Sequence, residues 1–228
     1  MSIVAKISNK MKSLPREVNL RSSSFFHRMG RKEEYQDIDR IMARHHAAGG
    51  LNNPVQPHKL WSLKTLLEKH QPKSIIEFGS GLSTFVFSEY AKKTGARVLS
   101  IDEEERWAEN TRGLIQNPDV EVISKPRVLL LEKNPPEIKY DFQTDEIFDM
   151  AFIDGPNLKT DGKRHPAINS NVFDLKQLPK CIIIDGRSET AEKIGQMAEY
   201  DMHISDLISK KYVMANYNHL SVGVLKDK

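Results

Sequence analysis

Residues Ser74–Ser83 read Ser-Ile-Ile-Glu-Phe-Gly-Ser-Gly-Leu-Ser. An apolar run closes on an acid, Glu77, and two glycines, Gly79 and Gly81, then bracket Ser80. Glycine suits a backbone that turns through conformations closed to other residues, or that approaches a ligand with no Cβ in the way. The pattern is that of a buried strand turning tightly into a helix, whose first N–H groups can receive an anionic group of a nucleoside-sized ligand. Ser80, Ser83 and Thr84 add hydroxyls and backbone N–H groups at the helix start. Glu77 stands where a carboxylate can meet a positively charged or hydroxyl-bearing ligand.

Three more acids follow apolar runs in the same way: Asp102-Glu103, Asp154-Gly155-Pro156 and Asp185-Gly186-Arg187. Singly, each is an ordinary helix cap or turn former. Gathered on one sheet edge they point to a ligand, because open α/β sheets bind ligands outside the C-terminal ends of their strands. Asp102 lies 21 positions past Gly81, where a carboxylate can accept hydrogen bonds from both ribose hydroxyls. Glu103 is the alternative if the strand runs one residue longer. A ribose carboxylate does not choose between cofactors, since dinucleotide dehydrogenases use the same device. Their fingerprint, however, wants Gly or Ala three residues after the second glycine, and Thr84 stands there. Trp107, one turn on, is expected to pack in the core.

The elements that would position these residues follow from periodicity. Glu33–His46 is expected to be helical, with Ile38, Ile41, Met42 and His45 on one side and Gly49-Gly50 at its end. Leu51–Pro57 is expected to be a loop, and a second helix to cover about His58–His70. Strands are expected at Ser74–Phe78, Arg97–Ile101, Val120–Ser124, Phe148–Ile153 and Lys180–Ile184. Helices are expected from Leu82, over about Glu104–Gln116, near Asn169–Leu178 and over Glu189–Tyr200. A last pair of strands is expected near Met202–Ser205 and Leu220–Leu225. The central strands are apolar throughout, as in a parallel sheet covered on both faces, so the fold class is α/β, doubly wound. Lys125–Ile147 is long and Pro-rich for a connector, and reads as a lid or a surface excursion.

Composition bounds the rest. The 228 residues, 39% hydrophobic and 29% charged, suit one domain with a modest extension. We divide them into a basic helical extension, 1–50, and a nucleotide-binding domain, 51–228. No apolar stretch approaches the roughly 18–20 residues of a bilayer span. The single Cys181 forms no internal disulfide, which suits a reducing, cytoplasmic compartment. Residues 1–32 hold eight lysines and arginines against one acid, Glu17, whereas the whole chain is only +3. Ile3, Val4, Ile7, Met11 and Leu14 recur at helical spacing beside Lys6, Lys10 and Lys12. That segment is either a helix lying on an anionic membrane surface or one packed on the domain. Nucleic acid is not an expected partner, because the basic residues lack interleaved aromatics beyond Phe25 and Phe26. Oligomeric state leaves no mark in the sequence.

The Glu-x-Gly-x-Gly of Glu77–Gly81 resembles the class I S-adenosylmethionine-dependent methyltransferases. Ile-Glu-Phe-Gly-Ser-Gly-x-Ser-Thr, then Ser-Ile-Asp-x-x-x-x-Trp, then Ile-Asp-Gly-Pro resembles their branch that methylates sugars and polysaccharides, over roughly Pro54–Lys226. The resemblance implies a mostly parallel seven-stranded sheet with an antiparallel strand pair at one edge. It implies S-adenosylmethionine held by Glu77, Gly79, Ser80, Gly81, Ser83, Thr84, Asp102 or Glu103, and Asp154, and a glycan or other small hydroxylated acceptor. Methyl transfer from a sulfonium needs the acceptor oxygen, methyl and sulfur in line, and an alcohol must also lose its proton. Asp154 is the expected base, with His165 in the polar loop Asn157–His165 as the second candidate. Arg187, Lys163 and Arg164, with Lys159, are expected to bind an acidic acceptor, unless Arg187 instead neutralises Asp154 or Asp185. Asp154 and Asp185 are also candidate ligands for Mg²⁺. Against a metal, Gly186 and Arg187 follow where catechol-type relatives carry Asn. The competing readings are an NAD-dependent sugar oxidoreductase and a non-catalytic binding protein of the same fold.

Overall fold

The computed structural model describes residues 28–47, 56–204 and 220–226. The expectations for residues 1–27, for Gly49-Gly50 and for most of the loop 51–57 therefore lie outside the described residues. Among the described residues, the first strand is preceded by α1, Gln36–Ala47, and α2, Gln56–His70. Acids in the first turn of α1 (Asp37, Asp39) and bases in its last (Arg44, His45, His46) match the polarity of its dipole. Strands and helices then alternate as β1 (Ser74–Phe78), α3 (Leu82–Thr94), β2 (Arg97–Asp102), α4 (Glu105–Ile115) and β3 (Val120–Ser124). Gly95 closes α3 in the left-handed conformation, its N–H bonding back to the Ala91 carbonyl.

Beyond β3 the chain leaves the main sheet for β4 (Arg127–Leu130) and β5 (Glu137–Tyr140), and returns as β6 (Met150–Ile153). A small hairpin follows, β7 (Lys159–Thr160) with β8 (Lys163–Arg164), then β9 (Ile168–Asn169) and a single 3₁₀ turn at Asn171–Asp174. Next come β10 (Cys181–Asp185), α5 (Ser188–Gly195), β11 (Tyr200–Ile204) and β12 (Leu220–Leu225).

The main sheet runs β11-β12-β10-β6-β1-β2-β3. β10, β6, β1, β2 and β3 are parallel, while β12 is antiparallel to both of its neighbours. This is the doubly wound, mostly parallel seven-stranded sheet expected. The order reverses between β1 and β6, so the switch point of the sheet, with its crevice outside the C-terminal ends of the strands, lies there.

Successive strand residues alternate between two apolar layers, which is why the strands read as continuous runs. Ile75, Val98, Met150, Phe152 and Ile183 face one layer, and Ile76, Leu99, Ala151, Ile153 and Ile184 face the other. The first layer is covered by α1 to α4, through Ile38, Ile41, Leu63, Leu67, Phe85, Phe87, Ala108 and Ile115. The second is covered differently. It takes Ile194 of α5, Val172 of the 3₁₀ turn, and Tyr140 of β5.

Lys125–Ile147, expected as a lid or a surface excursion, carries β4 and β5, which pair antiparallel; β5 also pairs parallel with β9, making a three-stranded cap sheet. One expectation is corrected here. The helix expected near Asn169–Leu178 is instead β9, one 3₁₀ turn and bends. Buried Asn169 and Asn171 use their side chains on backbone groups rather than leaving them to a helical ladder. Among the described residues, no helix is long and apolar enough to cross a membrane.

Candidate active site

Glu77, the residue before the last of β1, has no exposed surface. Strand register sets it beside Ser100 of β2, whose hydroxyl donates to Oε2 at 2.5 Å. The Thr84 hydroxyl donates to the same oxygen at 2.6 Å, and the Ser83 hydroxyl to Oε1. Thr84 also accepts the Gly81 N–H at 2.9 Å, so one side chain closes the helix start and pins the carboxylate. Burial pushes the Glu77 carboxyl up to about 7, against the three hydroxyl hydrogen bonds and with some help from Asp154. Glu77 thus lies beneath the floor of the site and shapes the glycine loop from below.

The two glycines differ in purpose. Gly79 adopts φ 104°, and a Cβ there would stand 2.7 Å from the Gly155 nitrogen, so the loops after β1 and β6 touch backbone to backbone. A Cβ on Gly81 would meet nothing within 4 Å; that position faces open space. Asn169 holds the other wall, its Nδ2 donating to the Gly155 carbonyl at 2.8 Å.

Asp102 ends β2 and is nearly buried. Its Oδ2 accepts the Ser80 N–H at 3.0 Å and the Ser80 hydroxyl at 2.7 Å, and its Oδ1 accepts the Glu104 N–H at 3.0 Å. A carboxylate offers about four lone-pair positions, so capacity remains for a ligand hydroxyl. Glu103 points elsewhere, accepting the Asn157 N–H at 2.9 Å and facing Arg127 at 4.0 Å. Arg127 in turn donates to the Asn157 and Lys159 carbonyls at 2.7 and 2.8 Å. Sequence alone gave no sign of this brace between cap sheet and loop. Trp107, expected in the core, is 51% exposed on α4, beyond Asp102.

At the crevice a cavity of about 160 Å³ is lined by Lys59, Leu60 and Leu63 of α2, by Ser80–Ser83, and by Phe152, Asp154, Asp185 and Leu220. Ligand pockets commonly run to several hundred Å³, so a space of this size suits one end of a larger ligand. Asp154 and Asp185 reach it from adjacent strands. Arg187 pairs with the Asp154 carboxylate at 3.6 Å and also donates to its backbone carbonyl. Lys59 pairs with Asp185. The surrounding protein first, and Asp185 second, raise the Asp154 carboxyl above the ordinary range, against Arg187 and Lys59. Its side chain is 51% exposed, so water reaches it and tempers that rise.

Of the remaining sequence candidates, Lys163 and Arg164 sit on the β7–β8 hairpin. Arg164 is spent on a bidentate pair with Glu189 of α5, both contacts at 2.7 Å, and Lys163 is exposed. The His165 N–H bonds the Leu158 carbonyl at 2.8 Å, and His165 is not among the residues lining the cavity. Nor does the carboxylate pair fit a divalent ion. Both acids already hold cations, Gly186 brings no ligand, and among the described residues no three His, Cys, Asp or Glu gather to hold a metal. Lys59 and Ser100 are the members that sequence reasoning missed. Ser100 was readable only through the register that sets it beside Glu77.

No protein-family model matches this chain, and no curated protein matches its sequence. Solved structures share its fold. The O-methyltransferase TomG of Streptomyces achromogenes, involved in tomaymycin synthesis and in complex with S-adenosylmethionine, is 15% identical, with 84% of this chain and 90% of that one covered and a TM-score of 0.54. An O-methyltransferase of Bacillus cereus in complex with S-adenosylhomocysteine is 18% identical, with 83% and 90% covered and a TM-score of 0.50. The S-adenosylhomocysteine-bound methyltransferase PaMTH1 of Podospora anserina is 13% identical, with 90% and 88% covered and a TM-score of 0.51. At such identities the likeness establishes the fold, a Rossmann-like α/β sheet of the methyltransferase type.

Proposed function

We propose that this protein is an S-adenosylmethionine-dependent O-methyltransferase acting on a carbohydrate or another small hydroxylated acceptor. One observation carries the reading. At the switch point of the sheet, the braced Ser80–Ser83 turn and Asp154 line one cavity, Gly81 leaves it open, and Asp102 is bonded to Ser80 of that turn. The methyltransferase neighbours of the same fold support this choice over a dinucleotide enzyme. So does Thr84, whose buried hydroxyl occupies the place where a dehydrogenase fingerprint wants a small residue.

When bound, S-adenosylmethionine supplies a methyl group activated on a sulfonium. The chain's own residues do the rest. The Ser80–Ser83 turn and the N–H groups opening α3 receive the amino-acid end, and Asp102 takes ribose hydroxyls alongside Ser80. Asp154, raised in pKa and open to the cavity, accepts the proton that the acceptor hydroxyl must lose. Leu60, Leu63, Phe152 and Leu220 form the apolar part of the cavity wall beside it. The preference for a sugar rests on the sequence resemblance, together with the polar loop Asn157–His165 beside the crevice.

Titration calorimetry with S-adenosylmethionine and, separately, NAD tests the cofactor. Saturable binding of the sulfonium nucleoside alone is expected, weakened by about 1–3 kcal/mol in Asp102→Ala. NAD binding in its place, or undiminished affinity in the variant, would refute the assignment.

A further inference from the structure

The ends of β6 and β10 lie side by side, Ile153 paired with Ile184, so Asp154 and Asp185 emerge as adjacent carboxylates. Like charges at that spacing repel and require countercharge. The chain supplies it from two separate places. Arg187 follows β10 directly, whereas Lys59 comes from α2, 126 positions before Asp185. The Lys59 and Asp185 side chains are only 21% and 13% exposed, so this is not a freely solvated surface pair. Lys59 also lines the cavity, with Leu60 and Leu63 on its own helix.

We propose that Lys59 takes the position a divalent cation would need at this carboxylate pair, making it a positioning residue that renders the reaction centre independent of metal. The proposal rests on the reading of this edge as the reaction centre. With Lys59 and Arg187 in place the four charges sum to zero. A divalent ion could bind only by expelling the ammonium, because Arg187 is anchored a second time on the Asp154 carbonyl. An ammonium carries donors and no lone pairs. It therefore holds Asp185 aside without competing for the acceptor's proton, and Asp154, the more exposed of the two, remains the carboxylate open to an acceptor. Removing the Lys59 charge leaves two acids against one guanidinium, and affinity at such oxygen sites follows ligand charge count.

Manganese chloride is titrated calorimetrically into the full-length wild type, Lys59→Arg, Lys59→Ala and Lys59→Gln, with no methyl donor present. Wild type and Lys59→Arg are expected to bind weakly or not saturably within the titrated range. A neutral replacement is expected to bind at least about ten-fold more tightly than the limit set by either, and adding Asp185→Asn to it is expected to abolish the gain. Lys59→Gln keeps length and polarity, so it gives the result if Lys59→Ala does not fold, and circular dichroism confirms the state of each. A wild-type site as tight as the variants' overturns the proposal, as does a folded neutral variant with no gain. The S-adenosylmethionine titration is independent, so failure of the cofactor reading would show there and not in the metal result.

Discussion

Glu77 is the residue on which the glycine loop is built, and its cost is visible in its proton affinity. A carboxyl raised to about 7 in the folded chain binds a proton more tightly than in the unfolded chain, whose value lies near the usual ~4.3. Across that interval the folded state holds more protons, so stability falls as pH rises, from full strength below the lower value to none above the upper. Asp154 is raised too and acts in the same direction. Glu77→Gln is therefore expected to flatten the decline in melting temperature between about pH 5 and pH 7, leaving a smaller slope from Asp154. Thermal melts across that range would show it, and identical slopes in variant and wild type would contradict it. The acids at this edge were readable from the sequence because each terminates an apolar run. Their partners were readable only in part. Arg187 was already a candidate to neutralise Asp154, but that Ser83, Thr84 and Ser100 turn onto Glu77, and that Lys59 of α2 reaches Asp185, depends on register and packing.

Among the elements, the contact between the loops after β1 and β6 tolerates least change. An added methyl at Gly155 would stand 2.7 Å from the Gly79 Cα and would also collide with the Tyr140 hydroxyl. Neither neighbour is the end of a flexible side chain, since Tyr140 is fully buried against Phe78. Gly155→Ala is expected to destabilise the fold by about 1–3 kcal/mol, the range for overpacking, and to weaken cofactor binding by displacing the glycine loop. Chemical denaturation and calorimetry measure the two effects, and a change below about 0.5 kcal/mol would mean that the loops separate at little cost. At this scale, β1 and β3 fell where apolar runs placed them, because parallel central strands carry an unbroken signal. β5 was missed although Glu137-Ile138-Lys139-Tyr140 alternates in burial. Four residues are too short a window beside Pro135 and Pro136. The supposed helix at Asn169–Leu178 failed because its asparagines bond to distant backbone instead of their own turn.

For the whole molecule, the two faces of the sheet are built on different plans. Four of the described helices cover one, and the described residues before the first strand belong to that layer: Tyr35, Ile38 and Ile41 join the core, and Tyr35 stacks on Trp61 at 6.2 Å. Ile38 has no exposed surface, so Ile38→Ala is expected to cost about 2–5 kcal/mol while leaving cofactor affinity unchanged, since it lines no part of the crevice. Urea denaturation beside calorimetry separates the two, and a stability loss under about 1 kcal/mol would show that α1 is dispensable. On the opposite face, the cap sheet is threaded through the main one. The chain lays down β4 and β5, passes through the central sheet as β6, and only then returns with β9 to complete the cap. No single cut and splice can therefore lift the cap away as a cassette. Swapping it between relatives would require two junctions, one on each side of Asp154, and natural variation there has to keep both seams in step.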